Sequence, residues 1–330
     1  MMKKMIKDGA KIEEYDFLII GAGVAGLAAA MYGARLGLRT ICFGAAHGFE
    51  LPIGGVITTT NIVENYPGFI KLSGQELADK IKEHAESYEL VKIVEEKVEK
   101  IEKTNKDFII TSDKKKYAAK TLLFATGTKW KKLDVPGSKE FENKGVAYCA
   151  LCDSPLFKNK IVAVVGGSDS AAKDALVLAE HAKKVYIIYR KEKIRAEPVN
   201  MKRIENNKKI EIVNNSNVIE IKGDKSVKSV ILDKEFNGNK ELILDGVFVA
   251  IGHVPLSDLA KQIGVKTNDK DEIIIDHKTA GTNVGGVFAA GDVADKEFKQ
   301  AITGVAEGCT AAYSAFEYVS KWLYLNWISF

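Results

Sequence analysis

Residues 16–43 read DFLIIGAGVAGLAAAMYGARLGLRTICF. An apolar run, a glycine turn, an alanine-rich stretch and a second apolar run follow without interruption, the pattern of a β-turn-α-β unit. Such a unit implies parallel strands, because a crossover helix is what returns the chain to begin a second strand in the same direction. The same grammar recurs at 160–189, KIVAVVGGSDSAAKDALVLAEHAKKVYIIY. The two turns begin at Gly21 and Gly166, about one domain length apart. A second pair repeats alongside: TLLFATGT (121–128) and GVFVAIGH (246–253) are apolar strands ending in a small residue, a variable residue and glycine. The expected fold class is α/β, with two Rossmann-like, three-layer ββα dinucleotide-binding domains. No low-complexity linker separates them, so the boundaries are expected at short crossovers near Thr126 and Ile251.

The rest of the chain narrows the class. Its 330 residues, 46% hydrophobic, suffice for two domains and a large core without a disulfide scaffold. A net charge of +4, with basic and acidic residues interleaved as at 91–106, argues against a nucleic-acid partner. No run approaches the ~18 apolar residues of a membrane span, and no secretory apolar region follows the basic start, so the expected compartment is the cytoplasm. Lysine-rich alternation between 92 and 120, as in FIITSDKKKY, reads as a polar-faced hairpin or meander. A helical stretch begins near Gln300 and ends in WLYLNWISF, whose Trp322 and Trp327 read as hydrophobic packing.

The first turn, Gly21-Ala22-Gly23-Val24-Ala25-Gly26, satisfies G-x-G-x-x-G with a strand before it and a helix after it. Gly21 permits the tight turn, Gly23 lets a pyrophosphate approach the backbone, and Gly26 allows close helix–strand packing. Free N–H groups and the helix dipole then hold the phosphates. The acid expected about 20 positions on, for the ribose, is missing: Cys42, Phe43 and Gly44 stand there. Glu50 is the nearest acid, and either it or backbone groups hold the ribose. The second turn, Gly166-Gly167-Ser168-Asp169-Ser170-Ala171, has serine at the position of closest approach. Its second strand ends at Tyr189 without an acid, and Arg190, Lys191 and Arg195 follow. Loss of the acid and gain of cations favours a 2′-phosphate, hence NADP over NAD. Two dinucleotide folds in one chain point to a flavin and a nicotinamide, between which hydride can pass.

Cys149-Ala150-Leu151-Cys152 is the only close cysteine pair. A structural zinc would want four ligands, and the five histidines are scattered without ligand spacing. At a helix start the pair suits dithiol–disulfide exchange, with Asp153 next in sequence to move a proton. The bland alternative is two small buried hydrophobes. For the isolated Cys42 and Cys309 that core reading is preferred.

An ordered set of motifs resembles the low-molecular-weight thioredoxin reductases over nearly the whole chain. It comprises GAGVAG (21–26), GGVITTTNIVENYPGF (54–69), ATG (125–127), CALCD (149–153), GGSDSAAKDA (166–175), YRKEKIRA (189–196), FVAIGHVP (248–255), VFAAGDVAD (287–295) and KQAITGVAEGCTAA (299–312). The resemblance implies an FAD domain of about 1–125 plus 251–330, with an NADP(H) domain of about 126–250, carrying the cysteine pair, inserted in it. It implies a homodimer with one FAD per subunit. Cys152 would face the flavin, Cys149 would attack thioredoxin or a thioredoxin-like protein, and Asp153 would be the acid/base. Asp292 would bond the ribityl chain, Gln300, Ala301 and Ile302 would bring a helix N-terminus near the isoalloxazine, and Thr59 and Asn65 would line the flavin. Gly55, Ala125, Thr126, Gly127 and Gly291 complete the expected FAD set. Gly166, Ser168, Asp169, Ser170, Arg190, Lys191, Arg195 and Ile251 form the expected NADPH set. Ser168, Tyr189 and Leu151 depart from the family pattern of glycine, histidine and threonine. The implied activity is thioredoxin-disulfide reduction by NADPH, with a rotation of the domains between half-reactions. Alternatives are the same dithiol enzyme fed by NADH or ferredoxin, a ferredoxin–NADP reductase-like flavoprotein, and a non-enzymatic binding module.

Overall fold

The computed structural model describes residues 12–44, 52–105 and 107–328, and of 322–328 the backbone alone. Glu50 and the side chains of Trp322 and Trp327 lie outside the described residues. The chain divides into two compact units, Met1–Lys129 with Pro255–Phe330, and Trp130–Val254. The first unit opens with β1 (Glu13–Ile20), α1 (Val24–Arg35), β2 (Thr40–Gly44), α2 (Gly74–Glu86) and β3 (Val91–Glu95). It continues through β4 (Val98–Lys103), β5 (Phe108–Ser112) and β6 (Lys116–Phe124), and β7 (Thr128–Trp130) carries the chain onward. The second unit holds β8 (Val146–Ala147), α3 (Ala150–Asp153), β9 (Ile161–Val165), α4 (Asp169–His181), β10 (Lys184–Tyr189), α5 (Pro198–Glu205) and β11 (Ile210–Asn214). Then come β12 (Val218–Gly223), β13 (Val227–Phe236), β14 (Asn239–Ile243) and β15 (Gly246–Val249). The return passes through β16 (His253–Pro255) and α6 (Asp258–Lys261) to β17 (Val287–Ala289) and α7 (Ala301–Ile328).

Each unit is built on a parallel sheet. In the first, β3, β2, β1 and β6 lie side by side in parallel, with Ile19 opposite both Cys42 and Leu123. The second half of β6 pairs in parallel with β17, while its first half pairs antiparallel with β5, which pairs with β4. Of the stretch between 92 and 120, β3 joins the parallel sheet, and β4, β5 and the first half of β6 form a meander branching from it. In the second unit the order is β11-β10-β9-β15-β8, all parallel, and β12, β13 and β14 form a separate antiparallel sheet. The repeat legible in sequence is therefore a repeat of strand order.

Burial explains the apolar runs. Strands covered on both faces need apolar side chains at every position. Phe17 and Ile19 pack on one side of β1 with Leu27, Ala29 and Ala311, and Leu18 and Ile20 on the other with Phe43, Tyr117 and Phe124. The alanine-rich helices are small-sided because they pack closely: a Cβ at Gly308 of α7 would stand 2.2 Å from the Ala25 carbonyl oxygen of α1. At the foot of the meander, buried Glu96 accepts hydrogen bonds from Ser112 Oγ at 2.6 Å and Tyr117 OH at 2.8 Å, which compensates its desolvation. Among the described residues no helix is long and apolar enough to cross a membrane.

Helix α4 faces its sheet with Ala171, Ala172, Ala175, Leu178 and Ala179. Asp174 lies at the edge of that stripe, three residues beyond Ala171 and four before Leu178. Burial pushes its carboxyl up to about 7. The native chain therefore holds a proton there that the unfolded chain, with a carboxyl pKa near 4, has released. That contribution is full below about pH 4 and is lost as pH rises through 7. Asp174→Asn should stabilise the protein by about 1–3 kcal/mol at pH 8 and leave it unchanged near pH 4, which thermal melts across that range check.

Candidate functional site

Gly21 has φ +112°, and a Cβ on it would stand 2.2 Å from the Ala125 carbonyl oxygen at the end of β6. A Cβ on Gly26 would come within 1.9 Å of the Gly21 carbonyl oxygen. The chain's own packing therefore requires glycine at both positions. Gly23 differs: a Cβ there would meet only the Gly54 oxygen, at 3.8 Å. Its bare backbone caps α1 in an extended conformation, and among the described residues no side chain caps the first-turn N–H groups. A glycine that packing does not require, at an uncapped helix start, leaves room and free N–H donors for a phosphate-bearing ligand. Cys42, beneath the turn, is fully buried, and burial pushes its thiol up to about 12, which leaves it inert.

Several expected residues gather around this turn. Gly54 N–H donates to the Ala22 oxygen at 2.8 Å, and the space for a Cβ on Gly55 lies 3.2 Å from the Gly23 Cα. Thr59 closes the 3-10 helix Gly55–Thr59, its hydroxyl donating to the Val56 oxygen at 2.8 Å. Asn65 Nδ2 donates to Gln300 Oε1 at 3.0 Å, tying that loop to the residue before Ala301 and Ile302 at the start of α7. Ala125 N–H donates to the Ile20 oxygen at 2.8 Å, Thr126 Oγ1 to the Leu256 oxygen at 2.6 Å, and Gly127 turns at φ +63°. Gly291, at φ +78°, faces Ala25, with 3.1 Å between its Cβ position and the alanine Cβ. Asp292 is half-buried, and its carboxylate has no partner among the described residues.

The second turn repeats the device. Gly166 has φ +153°, and a Cβ would stand 2.2 Å from the Ala250 oxygen at the end of β15, matching Gly21 against Ala125. Ser168 has φ −90° and ψ 176°, nearly the −74° and 176° of Gly23. Its backbone is one any residue adopts, and its hydroxyl does not cap α4. Gly167 is glycine because the buried Tyr189 ring lies against it, 2.2 Å from a hypothetical Cβ.

The loop after β10 is clamped to this turn. Arg195 N–H donates to the Gly167 oxygen at 2.7 Å, and Asp169 Oδ1 accepts from Glu197 N–H and Asn200 Nδ2, both at 2.8 Å. Burial raises the Asp169 pKa, but these bonds and Lys173 at 2.9 Å outweigh it and hold the carboxyl below its ordinary value. Arg190, Lys191 and Arg195 are exposed and have no acidic partner among the described residues. Ser170 is exposed in the first turn of α4, and Ile251 is half-buried just after β15.

In the same unit Cys149 is the N-cap of α3 and is joined to Cys152 by a disulfide. Cys149 Sγ accepts the Cys152 N–H at 3.1 Å, and Asp153 N–H donates to the Cys149 oxygen at 3.1 Å. Cys152 is exposed, while Cys149 and Asp153 are half-buried. Among the described residues no group of three or more His, Cys, Asp or Glu converges on a metal position.

Sequence reasoning missed the ion pairs behind the first site, Lys296 with Glu307 and Lys299 with Glu272. A signal was present: Thr303 and Glu307 lie four apart and share one face of α7.

Two dinucleotide turns and a disulfide at a helix start define a two-nucleotide oxidoreductase with a protein disulfide. The sequence pattern of the family described as pyridine nucleotide-disulphide oxidoreductase matches residues 15–308, and the chain belongs to that family. It is 36% identical to a thioredoxin reductase of Debaryomyces hansenii over 93% of this chain and 98% of the relative. Among solved structures it is similar to Lactococcus lactis thioredoxin reductase, with TM-score 0.87, 35% identity and coverage of 93% of this chain and 99% of that one. It is also similar to T. acidophilum thioredoxin reductase, with TM-score 0.86, 37% identity and coverage of 92% and 98%.

Gly23→Ala should leave the melting temperature of the apoprotein within about 2 °C while weakening flavin binding roughly tenfold or more, because no packing atom of the chain needs that space and a bound phosphate would. Gly26→Ala should weaken both, costing about 1–3 kcal/mol of stability through overpacking. Melts paired with flavin titrations separate the two.

Proposed function

We propose that the protein is a thioredoxin-disulfide reductase that passes electrons from NADPH through FAD to Cys149–Cys152, and on to thioredoxin or a thioredoxin-like protein. The observation that carries this reading is the disulfide at the start of α3, in the unit that also holds the second dinucleotide turn. In the first unit the bare Gly23 and the uncapped start of α1 fit an FAD pyrophosphate, and the unpartnered Asp292 fits the ribityl hydroxyls. Glu50 or backbone groups would hold the adenosine ribose. The remaining wall would come from Gly21, Ala22, Ala25, Gly26, Gly55, Thr59, Asn65, Ala125, Thr126, Gly127, Gly291, Gln300, Ala301 and Ile302. When bound, the flavin supplies an acceptor for the hydride of the nicotinamide and a donor of two electrons to the disulfide.

The second unit would bind the nicotinamide dinucleotide at Gly166, Ser168, Asp169, Ser170 and Ile251. Three exposed cations without acidic partners, Arg190, Lys191 and Arg195, support a 2′-phosphate there. The protein's own chemistry is then thiol exchange. The Cys149 thiolate attacks the partner's disulfide, forming a mixed disulfide and releasing one partner thiol. Cys152 next attacks Cys149 Sγ, restoring the internal disulfide and releasing the second partner thiol. Two electrons and two protons thus pass to the partner, with Asp153 moving the proton to the leaving sulfur. A homodimer in the cytoplasm completes the reading.

Ser168 and Tyr189 favour a second reading in which the dithiol is kept but the donor is NADH or ferredoxin. The disulfide weighs against a ferredoxin–NADP reductase role. Cys149→Ser and Cys152→Ser should each retain FAD and lose disulfide reduction by about 10³-fold or more, a transition-state deficit above roughly 4 kcal/mol. Full turnover in either variant would sink the mechanism. Dithionite titration should take four electrons per flavin in the wild type and two in either variant. Stopped-flow mixing with NADPH, NADH and reduced ferredoxin decides the donor. Arg190→Ala should raise KM for NADPH roughly tenfold and leave KM for NADH unchanged.

A further inference from the structure

One ion pair lies directly behind the turn that bears Gly291 and Asp292. Oε2 of Glu307, on the second turn of α7, accepts the Gly291 N–H at 2.8 Å and Lys296 Nζ at 2.7 Å. Lys296 Nζ also donates to Thr303 Oγ1 at 3.2 Å, and the same hydroxyl oxygen accepts the Gln300 N–H at 3.1 Å. The Lys296 side chain is 8% exposed, so Glu307 provides the compensation that water does not. Lys299 donates to the Asp292 carbonyl oxygen at 2.8 Å and pairs with Glu272, so the turn is held from both ends.

Backbone hydrogen bonds also close this turn, Ala294 N–H to the Gly291 oxygen at 3.0 Å and Ile273 N–H to the Val293 oxygen at 2.8 Å, and its contact with α7 is made by small residues. A Cβ on Gly304 would stand 3.4 Å from the Gly291 Cα, and one on Gly291 would stand 3.1 Å from the Ala25 Cβ. With glycines facing one another, no large side chain fills the contact between turn and helix. The bond from the Gly291 N–H to Glu307 is the polar tie from this turn to α7 among the described residues, and it helps set where the Asp292 carboxylate hangs. We propose that Lys296 and Glu307 form a positioning pair that fixes the Gly291–Asp292 turn against the start of α7 and balances the charge beside the bound flavin. The proposal rests on the FAD reading of the first unit.

Charge balance gives the pair a signature that a merely structural role lacks. Reduction adds electrons to the flavin ring, so an unpaired cation nearby raises its midpoint potential and an unpaired carboxylate lowers it. Glu307→Gln leaves Lys296 uncompensated, and Lys296→Met leaves Glu307 uncompensated. The full-length protein is purified with its flavin and titrated against redox dyes, while FAD affinity is followed by flavin fluorescence.

The expected result is a raised potential in E307Q, a lowered one in K296M, and FAD binding weaker by roughly tenfold in each. The double variant K296M/E307Q, which buries no unpaired charge, should return close to the wild-type potential and bind FAD more tightly than either single variant. It also keeps the test open if a single variant fails to fold. Shifts of one sign, unmoved potentials, or a double variant whose FAD loss is the sum of the singles would overturn the pair's role. A wild-type chain that binds no FAD overturns the underlying reading as well.

Discussion

The structure depends on a backbone-to-backbone contact made twice. In each unit the first glycine of a turn lies against the carbonyl of the alanine ending the neighbouring strand, Gly21 on Ala125 and Gly166 on Ala250. No side chain fits either contact, and both glycines have positive φ. The contact brings the start of one helix to the carboxyl ends of two adjacent parallel strands, where open α/β sheets bind their ligands. Helices α1 and α4 then present uncapped first turns at those ends. Whatever each unit binds is received by this geometry before any side chain is chosen.

Beyond that shared device the units diverge, and the divergence carries the chemistry. The first unit packs α7 onto α1 through Gly308 and Ala25, placing the Gly291 turn and the start of α7 beside the glycine turn. The second has no counterpart of α7; beside its turn stand the short α3 with its disulfide and the clamped loop bearing Arg190, Lys191 and Arg195. One scaffold offers a glycine-lined cradle beside Asp292, whose carboxylate has no partner among the described residues, and the other a cationic rim with a reducible sulfur pair. That asymmetry gives one repeated fold two chemically different sites.

Departures from the expected motif prove local in their physics. Ser168 replaces a glycine without strain because its backbone is extended, as is that of Gly23. Tyr189 is accommodated by Gly167, whose missing side chain makes room for the ring. Asp169 directs its carboxylate to the loop at 197–200 and to Lys173, so it holds that loop against the second turn. Of these partners only Lys173, four residues on along α4, was legible in the sequence; the others join residues more than 20 positions apart.

The sequence by itself determined the parallel α/β class, the duplicated turn and its strand-end partner, a polar-faced antiparallel stretch and the close cysteine pair. Those features are written as periodicity, glycine spacing and local repeats, which short-range sterics and burial translate directly into structure. Only the tertiary structure decided which strands neighbour which, including the split pairing of β6 and the separate sheet of β12, β13 and β14. It alone revealed the half-buried pair Lys296–Glu307 and an Asp292 carboxylate without a partner among the described residues, because burial and the satisfaction of charge depend on segments that meet only after folding.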